Sequence, residues 1–561
     1  MTEKIIFYVL VAIFSGSALI ILWKVNERFL VEVPDRGGTL TEGIIGTPRF
    51  INPLLAISDA DRDLTSLVYS GLLKATPEGD LIPDLAESYS ISNDGLTYDF
   101  VLKKNISFHD GAPVTADDVE FTIQKAQDPA LKSSRRANWE GVTVQKVSAQ
   151  EIKFVLKQPY APFIENLILG ILPKHIWKYA DSDQFTFSSY NTSPIGTGPY
   201  KIRDIRKNSG GFPVQYNLVP FTKYALGEPY ISHLVIKFYS NENAIVEALR
   251  DKSIQSANSI SPEDAKSLKN NGARIETSAL PRIFGVFFNQ NQAPIFVHHE
   301  VREALQAAVD KQKILDDVLK GYGTVIDSPI PSRILDIRAT STSAIGTSTP
   351  LERAAKILET NGWKINPDTG IREKKVKSNV EQLTFSISTS DAPELKAAAQ
   401  SIASAWNTLG AHVDVKVFEA GDLNQNIIRP RKYDTLLFGE IIGRDLDLYP
   451  FWHSSQRNDP GLNIAMYANI KVDKLLEDAR TISNASDRFA KYQAFNNEIK
   501  KDIPAVFTYS PDFIYIIPKS VKNMTLSNIT TPSERFLDIN HWYIETNKVW
   551  KIFAPEEDIS Q

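Results

Sequence analysis

The histidine and carboxylate side chains that could do chemistry are scattered, and they come close together at one point. His298 and His299 directly precede Glu300. Imidazoles and a carboxylate are ligands that zinc and related metals take from proteins, so this cluster could bind a metal ion. The alternative is a polar helix N-terminus that leads into Val301. Since no HExxH or similarly spaced set of histidines occurs, we interpret the cluster as a helix N-terminus and predict no metal site.

Nucleophilic and nucleotide-binding motifs are absent. The chain has no cysteine, which excludes disulfides, thiolate metal ligands, a cysteine nucleophile and a lipid anchor attached through cysteine. No GxSxG elbow occurs, the carboxylates show no acid/base spacing, and Gly196-Thr197-Gly198 lacks the GxxxxGK[ST] spacing of a phosphate loop. We therefore predict a protein that is not an enzyme and needs no cofactor.

Length and composition indicate a chain that folds in water as more than one unit. The 561 residues exceed what one hydrophobic core usually organises. Apolar residues make up 42% and charged residues 23%, which is near the average for soluble proteins and excludes a disordered chain or a polytopic membrane protein. The formal charge of -5 comes without basic clusters, so we expect no nucleic acid as a partner.

One segment at the N-terminus is suited to a membrane. The run from Ile5 to Trp23 has nineteen positions without a charge, and a helix of that length spans roughly the 30 Å hydrocarbon core. A secretory signal has a shorter apolar region and a small-x-small cleavage site, whereas this run leads directly into Lys24. We predict a retained single-pass anchor with its tether over residues 1–37. Lys4 and Arg28 at the two ends leave the orientation undecided.

Apolar periodicity predicts strands and helices behind this anchor. Alternation predicts half-buried strands at Tyr98–Leu102 and Ile152–Leu156. Helical spacing covers Leu64–Leu72 and Val301–Val309. Thr115, followed three positions later by an acidic residue, predicts the start of another helix.

The clearest topological signal is a strand, a helix and a second strand in succession. Leu383–Ile387 alternates, Leu395–Leu409 has helical spacing, and Val413–Val417 alternates again. This βαβ unit favours an α/β lobe with a parallel sheet. Ligands of such sheets bind at the carboxyl ends of the strands.

Four segments read as connections. Glu32–Gly38 is predicted to be a tether, so that folding starts near Thr39, and residues 544–561 are predicted to be a C-terminal tail that ends in a frayed acidic stretch. Ser332–Pro350 and Asn366–Asn379 are predicted to be exposed loops. We expect no function from these two loops.

A set of short motifs has a specific order and spacing over roughly Gly38 to Trp542. The motifs are Leu85–Tyr89, Asp94–Leu102, Phe108–Val119, Gly196–Tyr200, Phe287–Asn289 and Val301–Leu305. Together they closely resemble the signature of the family 5 solute-binding proteins, which include the dipeptide-, oligopeptide- and nickel-binding proteins of ABC importers. Their own chemistry is that of turns and caps. They identify a scaffold and not a ligand.

By this resemblance the fold is α/β and two-lobed, periplasmic-binding-protein-like with an extra inserted domain, after one N-terminal transmembrane helix. The resemblance implies a first lobe from residues 38–59, 193–280 and 503–543, an inserted middle domain over 60–192, and a second lobe over 281–502. The chain would cross between the lobes twice, with the ligand between them. Contacts to both lobes exist only in the closed state, so binding would shift the population toward closure.

The resemblance also indicates where a ligand would be held. Residues 440–452 align with the region in which peptide-binding relatives place their amine-binding aspartate, but the relatives' Gly-Trp-x-Gly-Asp run is replaced here. An acidic pole from Glu440, Asp445 or Asp447 is one interpretation; solvated loop acids or pairing with Arg444 is the other. The aromatic and basic candidates, each either a cleft wall or a core residue, are Tyr449, Trp452, Arg282 and Phe284.

The partners implied by the resemblance are a peptide ligand and ABC permease subunits. The protein would be a monomer at the cell membrane with its folded part extracytoplasmic. A different solute on the same scaffold, such as a metal chelate or an oligosaccharide, stays open because peptide recognition through main-chain contacts leaves no motif. A surface hydrolase would need a clustered nucleophile and base, which the sequence does not show.

Overall fold

The computed structural model describes residues 2–330 and 349–554. Most of the expected loop over Ser332–Pro350 and the acidic end of the C-terminal tail lie outside these residues. The second expected loop, Asn366–Asn379, contains the strand Arg372–Val376 and the first residue of the strand Asn379–Gln382. Together with Lys364–Ile365 these strands form a small antiparallel sheet. The helices are α1 Thr2–Phe29, α2 Asp59–Val68, α3 Ala116–Gln127, α4 Arg136–Trp139, α5 Lys174–Trp177, α6 Glu242–Arg250, α7 Pro262–Asn270, α8 His299–Ala308, α9 Lys311–Asp317, α10 Pro350–Thr360, α11 Pro393–Thr408, α12 Ala420–Asp422, α13 Tyr449–Trp452, α14 Ile470–Thr481 and α15 Ala485–Asp502.

The strands form one large sheet and several small ones. They are β1 Leu30–Asp35, β2 Gly37–Ile45, β3 Leu73–Ala75, β4 Leu81–Pro83, β5 Ala86–Ile91, β6 Thr97–Leu102, β7 Thr143–Lys146, β8 Glu151–Val155, β9 Tyr200–Lys207, β10 Pro213–Pro220, β11 Ile231–Tyr239, β12 Ser256–Ala257, β13 Arg274–Ala279, β14 Arg282–Phe288, β15 Gly323–Val325, β16 Lys364–Ile365, β17 Arg372–Val376, β18 Asn379–Gln382, β19 Thr384–Ser390, β20 His412–Phe418, β21 Thr435–Ile441, β22 Ala505–Ile517 and β23 Glu545–Trp550.

The large sheet runs through both lobes. Its strand order is β20-β19-β21-β14-β22-β12-β2-β11-β10-β9, with β13 and β15 also paired to β22. We call the part built on β2 and β9–β13 the first lobe and the part built on β14 and β19–β21 the second lobe. Both share β22, whose residues 505–509 pair with β14 and whose residues 512–517 pair with β13.

The chain therefore passes between the lobes at two places in this sheet. One lies between β13 and β14, at Leu280-Pro281, and the other lies inside β22, between Tyr509 and Asp512. The second crossing comes several residues after residue 503, at which the sequence placed it, because the first part of β22 is still bonded to the second lobe. The other predicted domain limits stay predictions.

The predicted βαβ unit is confirmed. β19 and β20 pair in parallel from Thr384–His412 to Ser390–Phe418, and α11 connects them. The buried face of α11 includes Ile402 and Trp406, at helical spacing. β21 pairs in parallel with β19, so the segment that follows Ile441 lies at the carboxyl edge of the second-lobe strands.

The inserted segment, residues 60–192, carries three of the six quoted motifs. β5-β6-β8-β7 form an antiparallel sheet that includes both predicted strands. α3 begins as predicted, with Thr115 and Asp118 forming a reciprocal capping box. The predicted helix at Leu64–Leu72 ends at Val68, and Leu72 lies beyond it. The apolar core of this segment is continuous with that of the first lobe.

The N-terminal helix leads directly into the fold. The stretch Ile5–Phe29 of α1 has the length and composition of a membrane span, and its side chains are largely exposed. Leu30–Asp35 then forms β1, which pairs antiparallel with β23 from Leu30–Trp550 to Asp35–Glu545. The predicted tether and the start of the predicted tail are therefore a two-stranded ribbon. The sequence could not show it, because the two strands lie at opposite ends of the chain.

Candidate functional site

The loop that follows β21, residues 442–448, lies where the two lobes and the inserted segment meet. It starts at the carboxyl edge of the parallel strands, where ligands of α/β sheets bind. Three of its charged side chains, Arg444, Asp445 and Asp447, come close to other parts of the protein, and each has a different environment.

Asp447 is bound within the second lobe. Arg480 on α14 donates from Nη2 to Asp447 Oδ2 at 2.6 Å and from Nε to Oδ1 at 3.0 Å. The same guanidinium lies 4.0 Å from the centre of the Tyr449 ring, and Tyr160 of the inserted segment donates its hydroxyl to Asp447 at 3.2 Å. The charge of Asp447 is thus already neutralised by a bidentate partner.

Asp445 has a different environment, although it is two positions away. In the described residues it has no salt-bridge partner within 4.0 Å. Burial raises the pKa of its carboxyl to about 6, and the charge of Asp447 adds to the rise. Burial likewise raises the pKa of Glu165, in the inserted segment, to about 7; Arg444 opposes this rise and Asp445 adds to it. The carboxyls of Asp445 and Glu165 are therefore two buried acidic groups whose charges are not fully compensated by positive neighbours, and the charge of Asp445 acts on Glu165.

Arg444 connects the second lobe to the first lobe and to the inserted segment. Its Nη2 donates to Glu534 at 2.7 Å, and its Nη1 donates to the carbonyl of Asn528 at 3.1 Å. Its Nε lies 3.6 Å from Glu165. The guanidinium is almost fully buried, and its contacts with charged partners are therefore little screened by solvent.

Glu440 and Trp452 lie deeper in the second lobe. Both are buried, and Trp452 packs with Phe287 and Phe507 in the apolar core on that side of the sheet. Burial raises the pKa of Glu440 well above its usual range, while the Trp452 indole opposes part of the rise. The Glu440 carboxyl is therefore a buried group whose charged form is disfavoured, and Trp452 is a core residue.

Arg282 and Phe284 stand at the start of β14, beside the crossing between the lobes. Phe284 stacks on Tyr509 with ring centres 5.1 Å apart. Burial lowers the pKa of Arg282, with Asp59 opposing and Arg62 adding to the effect. Its Nε is buried and has no hydrogen-bond partner among the described residues.

The predicted residues therefore fall into three groups. The first group comes together at the loop after β21 and consists of Arg444, Asp445, Asp447 and Tyr449. The second group, Arg282 and Phe284, lies beside the crossing between the lobes. The third group, Glu440 and Trp452, is buried in the second lobe. Sequence reasoning missed Tyr160, Glu165, Arg480 and Glu534. Tyr160 is 287 positions from the residue it binds, and no local pattern connects residues that far apart.

Side chains of the His298–Glu300 cluster contact polar side chains from other parts of the chain. His298 lies 2.7 Å from Glu381, and Lys374 donates to Glu300 at 2.8 Å. α8 begins at His299, in line with the interpretation as a helix N-terminus. Over residues 2–330 and 349–554 no group of three or more histidine, aspartate or glutamate side chains is placed to hold a metal ion.

Comparison with known proteins gives consistent matches over most of the chain. The family profile described as bacterial extracellular solute-binding proteins, family 5 middle, matches residues 80–460. The oligopeptide-binding protein AppA of Bacillus subtilis (strain 168) is 29% identical over 522 residues, which cover 91% of this chain and 92% of that protein.

Solved structures agree with the sequence matches. The structure of AppA from Bacillus subtilis in complex with a nonapeptide has a TM-score of 0.68 at 27% identity, covering 91% of this chain and 100% of the other. That of NikZ from Campylobacter jejuni in complex with Ni(L-His) has a TM-score of 0.69 at 27% identity, covering 90% and 99%. These neighbours share the two-lobed α/β architecture described above and confirm the predicted fold class.

Proposed function

The chain belongs to the bacterial extracellular solute-binding proteins of family 5, and on that premise we propose that it captures peptides between its two lobes and delivers them to the permease of an ABC importer. The proposal includes retention of α1 as a membrane anchor, with the folded part extracytoplasmic and monomeric. It also includes release of the ligand unaltered, as expected of a solute-binding family. The nonapeptide held by AppA supports the choice of ligand class.

The observation that carries the peptide proposal is the environment of Asp445. A peptide ammonium that leaves water needs an acidic partner, because burying it unpaired costs several kcal/mol. Among the predicted acidic residues, Asp447 is already bound by Arg480, and Glu440 is buried in the second lobe with its pKa raised by that burial. Asp445 is ionisable and has no cationic side chain within salt-bridge distance in the described residues. We assign it as the ammonium-binding carboxylate, with Glu165 across from it.

The positive charge that the terminal carboxylate of a peptide would need is available beside the crossing between the lobes. Arg282 carries a buried Nε without a partner in the described residues, and the charges of Arg62 and Arg135 act in the same region. A terminal carboxylate would satisfy this arginine. Phe284 and Tyr449 supply aromatic surface near the two poles. The arrangement suits a zwitterionic chain whose ends carry opposite charges.

Calorimetry with a peptide that co-purifies with the protein tests the proposal. Asp445→Asn should weaken binding by about 2–5 kcal/mol, the range for breaking a buried charge pair. N-acetylation of the peptide should weaken binding to the parent protein by a similar amount. Glu440→Gln is the matched control and should bind like the parent, because the carboxyl it replaces is buried in the second lobe.

Three outcomes would contradict the proposal. Unchanged affinity in Asp445→Asn, with native circular dichroism, would remove the assigned ammonium partner. Recovery of a metal chelate and no peptide from the purified protein would favour the other ligand class, for which NikZ with Ni(L-His) is the precedent among the neighbours. Hydrolysis of a peptide at catalytic protein concentrations would favour an enzyme.

A further inference from the structure

The exposed side chains at the C-terminal end of the ribbon are unusual for a water-facing surface. Trp550, Ile552 and Phe553 are 49%, 76% and 75% exposed. They follow one another on the last residue of β23 and on the 3₁₀ turn Lys551–Phe553. Single exposed apolar residues are ordinary, but three large ones in four consecutive positions indicate a contact surface.

The pairing of β1 with β23 fixes where this surface lies. Trp550 is opposite Leu30, the residue that directly follows the last residue of α1. Because this pairing is antiparallel, the chain leaves the ribbon after Trp550 at the end that adjoins α1. Phe29, the last residue of α1, is itself 54% exposed.

The charges of this region suit a lipid surface. The uncharged part of α1 ends at Trp23, and Lys24, Glu27 and Arg28 follow within its last two turns. Lys548 and Lys551 flank Trp550 on the C-terminal strand and turn. Tryptophan beside basic residues, just past an apolar helix, is the composition found at the membrane–water interface.

We propose that the segment Trp550–Phe553 is a second membrane contact, which inserts its apolar side chains into the lipid interface next to α1. The inference rests on the proposed retention of α1 and goes beyond it, because it assigns a membrane role to the other end of the chain. The two contacts would fix the ribbon, and the first lobe attached to it, at the bilayer surface. The basic side chains would favour anionic headgroups.

The absence of cysteine from the chain makes a direct test possible. Full-length Ile552→Cys, labelled with an environment-sensitive fluorophore and reconstituted in nanodiscs, reports the depth of the segment. Phe187→Cys, at an aromatic that is 86% exposed in the inserted segment, is the control. Spin-labelled lipid should quench the label at 552 roughly twofold or more over the label at 187, and anionic lipid should increase the difference. The double change Trp550→Ser, Phe553→Ser should abolish the difference in quenching between the two labels.

Two measurements separate the test of the Trp550–Phe553 contact from the question of whether α1 is retained and inserted. Intact mass of the reconstituted protein establishes that α1 is present, and protection of α1 from added protease establishes that it is inserted. Equal lipid quenching at 552 and 187 under those conditions would overturn the inference while leaving the anchor in place. Loss of α1 during maturation would contradict the anchor instead. Strong quenching of the label at 552 in the Trp550→Ser, Phe553→Ser protein would also overturn the inference, because the two aromatic side chains would then not be responsible for the membrane contact.

Discussion

Arg480 holds Asp447 by two nitrogen atoms, with Nη2 2.6 Å from Oδ2 and Nε 3.0 Å from Oδ1. Asp445, in the same loop, has no such partner in the described part of the chain. Two aspartates that the sequence could not distinguish thus have different partners: Arg480 binds Asp447, and Asp445 has no salt-bridge partner in the described residues.

The first prediction concerns the aspartate that holds the loop. Asp447→Asn should lower the free energy of unfolding by about 1–3 kcal/mol, because it leaves the half-buried Arg480 without its charged acceptor. Urea unfolding followed by circular dichroism measures the change. Asp317→Asn removes an exposed pairing with Lys313 and should have no measurable effect. A normal midpoint for Asp447→Asn would show that the bidentate contact is dispensable.

The second prediction is a pH dependence of peptide affinity. Burial raises the pKa of Asp445 to about 6 and that of Glu165 to about 7 in the free protein. A bound ammonium favours the charged carboxylates, so binding below these values must displace protons. Affinity should therefore be full above about pH 7 and fall as the pH drops through 7 and 6, by up to about tenfold per unit for each displaced proton.

Calorimetry from pH 8 to pH 5 measures this dependence, and the same series on Asp445→Asn is its control. The variant should show weaker binding with a flatter pH profile, because one of the two titrating groups is gone. Identical profiles for the parent and the variant would mean that Asp445 does not titrate with binding.

Local patterns predicted the parts of the fold that depend on local chemistry. The βαβ unit from Thr384 to Phe418 has a period of two, then 3.6, then two, and the cap at Thr115 depends on residues three positions apart. Burial then follows from which face is apolar. The family motifs supplied the two-lobed arrangement.

The ligand site could not be predicted to the same depth. Whether Asp445 or Asp447 is free depends on Arg480, which lies 33 positions from Asp447 on another helix. Glu440 looked like an equal candidate, but it faces the core because strand alternation puts it on the side of Trp452. The ribbon of β1 and β23 was missed for the same reason, since its register joins the two ends of the chain.

The third prediction concerns closure of the lobes. Arg444 of the second lobe binds Glu534 and the carbonyl of Asn528 across the gap. Arg444→Gln should weaken ligand binding by about 1.5–3 kcal/mol, the range for hydrogen bonds to a charged group, because these contacts require the lobes to be together. Calorimetry measures the loss, and small-angle X-ray scattering should give a larger radius for the ligand-bound variant.

The matched control for Arg444 is Arg429→Gln. Arg429 is exposed and lies 3.6 Å from Asp459 within the second lobe, so its removal should alter neither affinity nor radius. A compact, tightly binding Arg444→Gln protein would contradict a closing role for Arg444.

The fourth prediction is that α1 stays attached. The apolar run ends at Lys24 without a small-residue cleavage site, and the helix continues without interruption to β1. Protein isolated from membranes should therefore have an intact mass that includes residues before Lys24. A mature N-terminus at Lys24 or later would contradict the retention of α1 as an anchor.

The fifth prediction concerns a buried charge cluster that ties the C-terminal part of the first lobe to its N-terminal part. Arg535 is fully buried and donates to both oxygens of Asp63, at 2.9 and 2.7 Å, and to Glu42 at 3.0 Å. Tyr515 donates its hydroxyl to Glu42 at 2.7 Å. Arg535→Met should destabilise the protein by about 3–5 kcal/mol, because two carboxylates lose the cation that compensates their burial.

The pH dependence of that variant separates charge from packing. Burial already raises the pKa of Asp63, the charge of Glu42 adds to the rise, and Arg535 opposes it. Without Arg535 the folded-state pKa of Asp63 must rise further above its unfolded value, so the folded variant binds more protons and gains stability as the pH falls. The difference between parent and variant in urea unfolding should therefore shrink from pH 8 to pH 5. A difference that stays constant over this range would assign the loss to packing of the side chain and not to its charge.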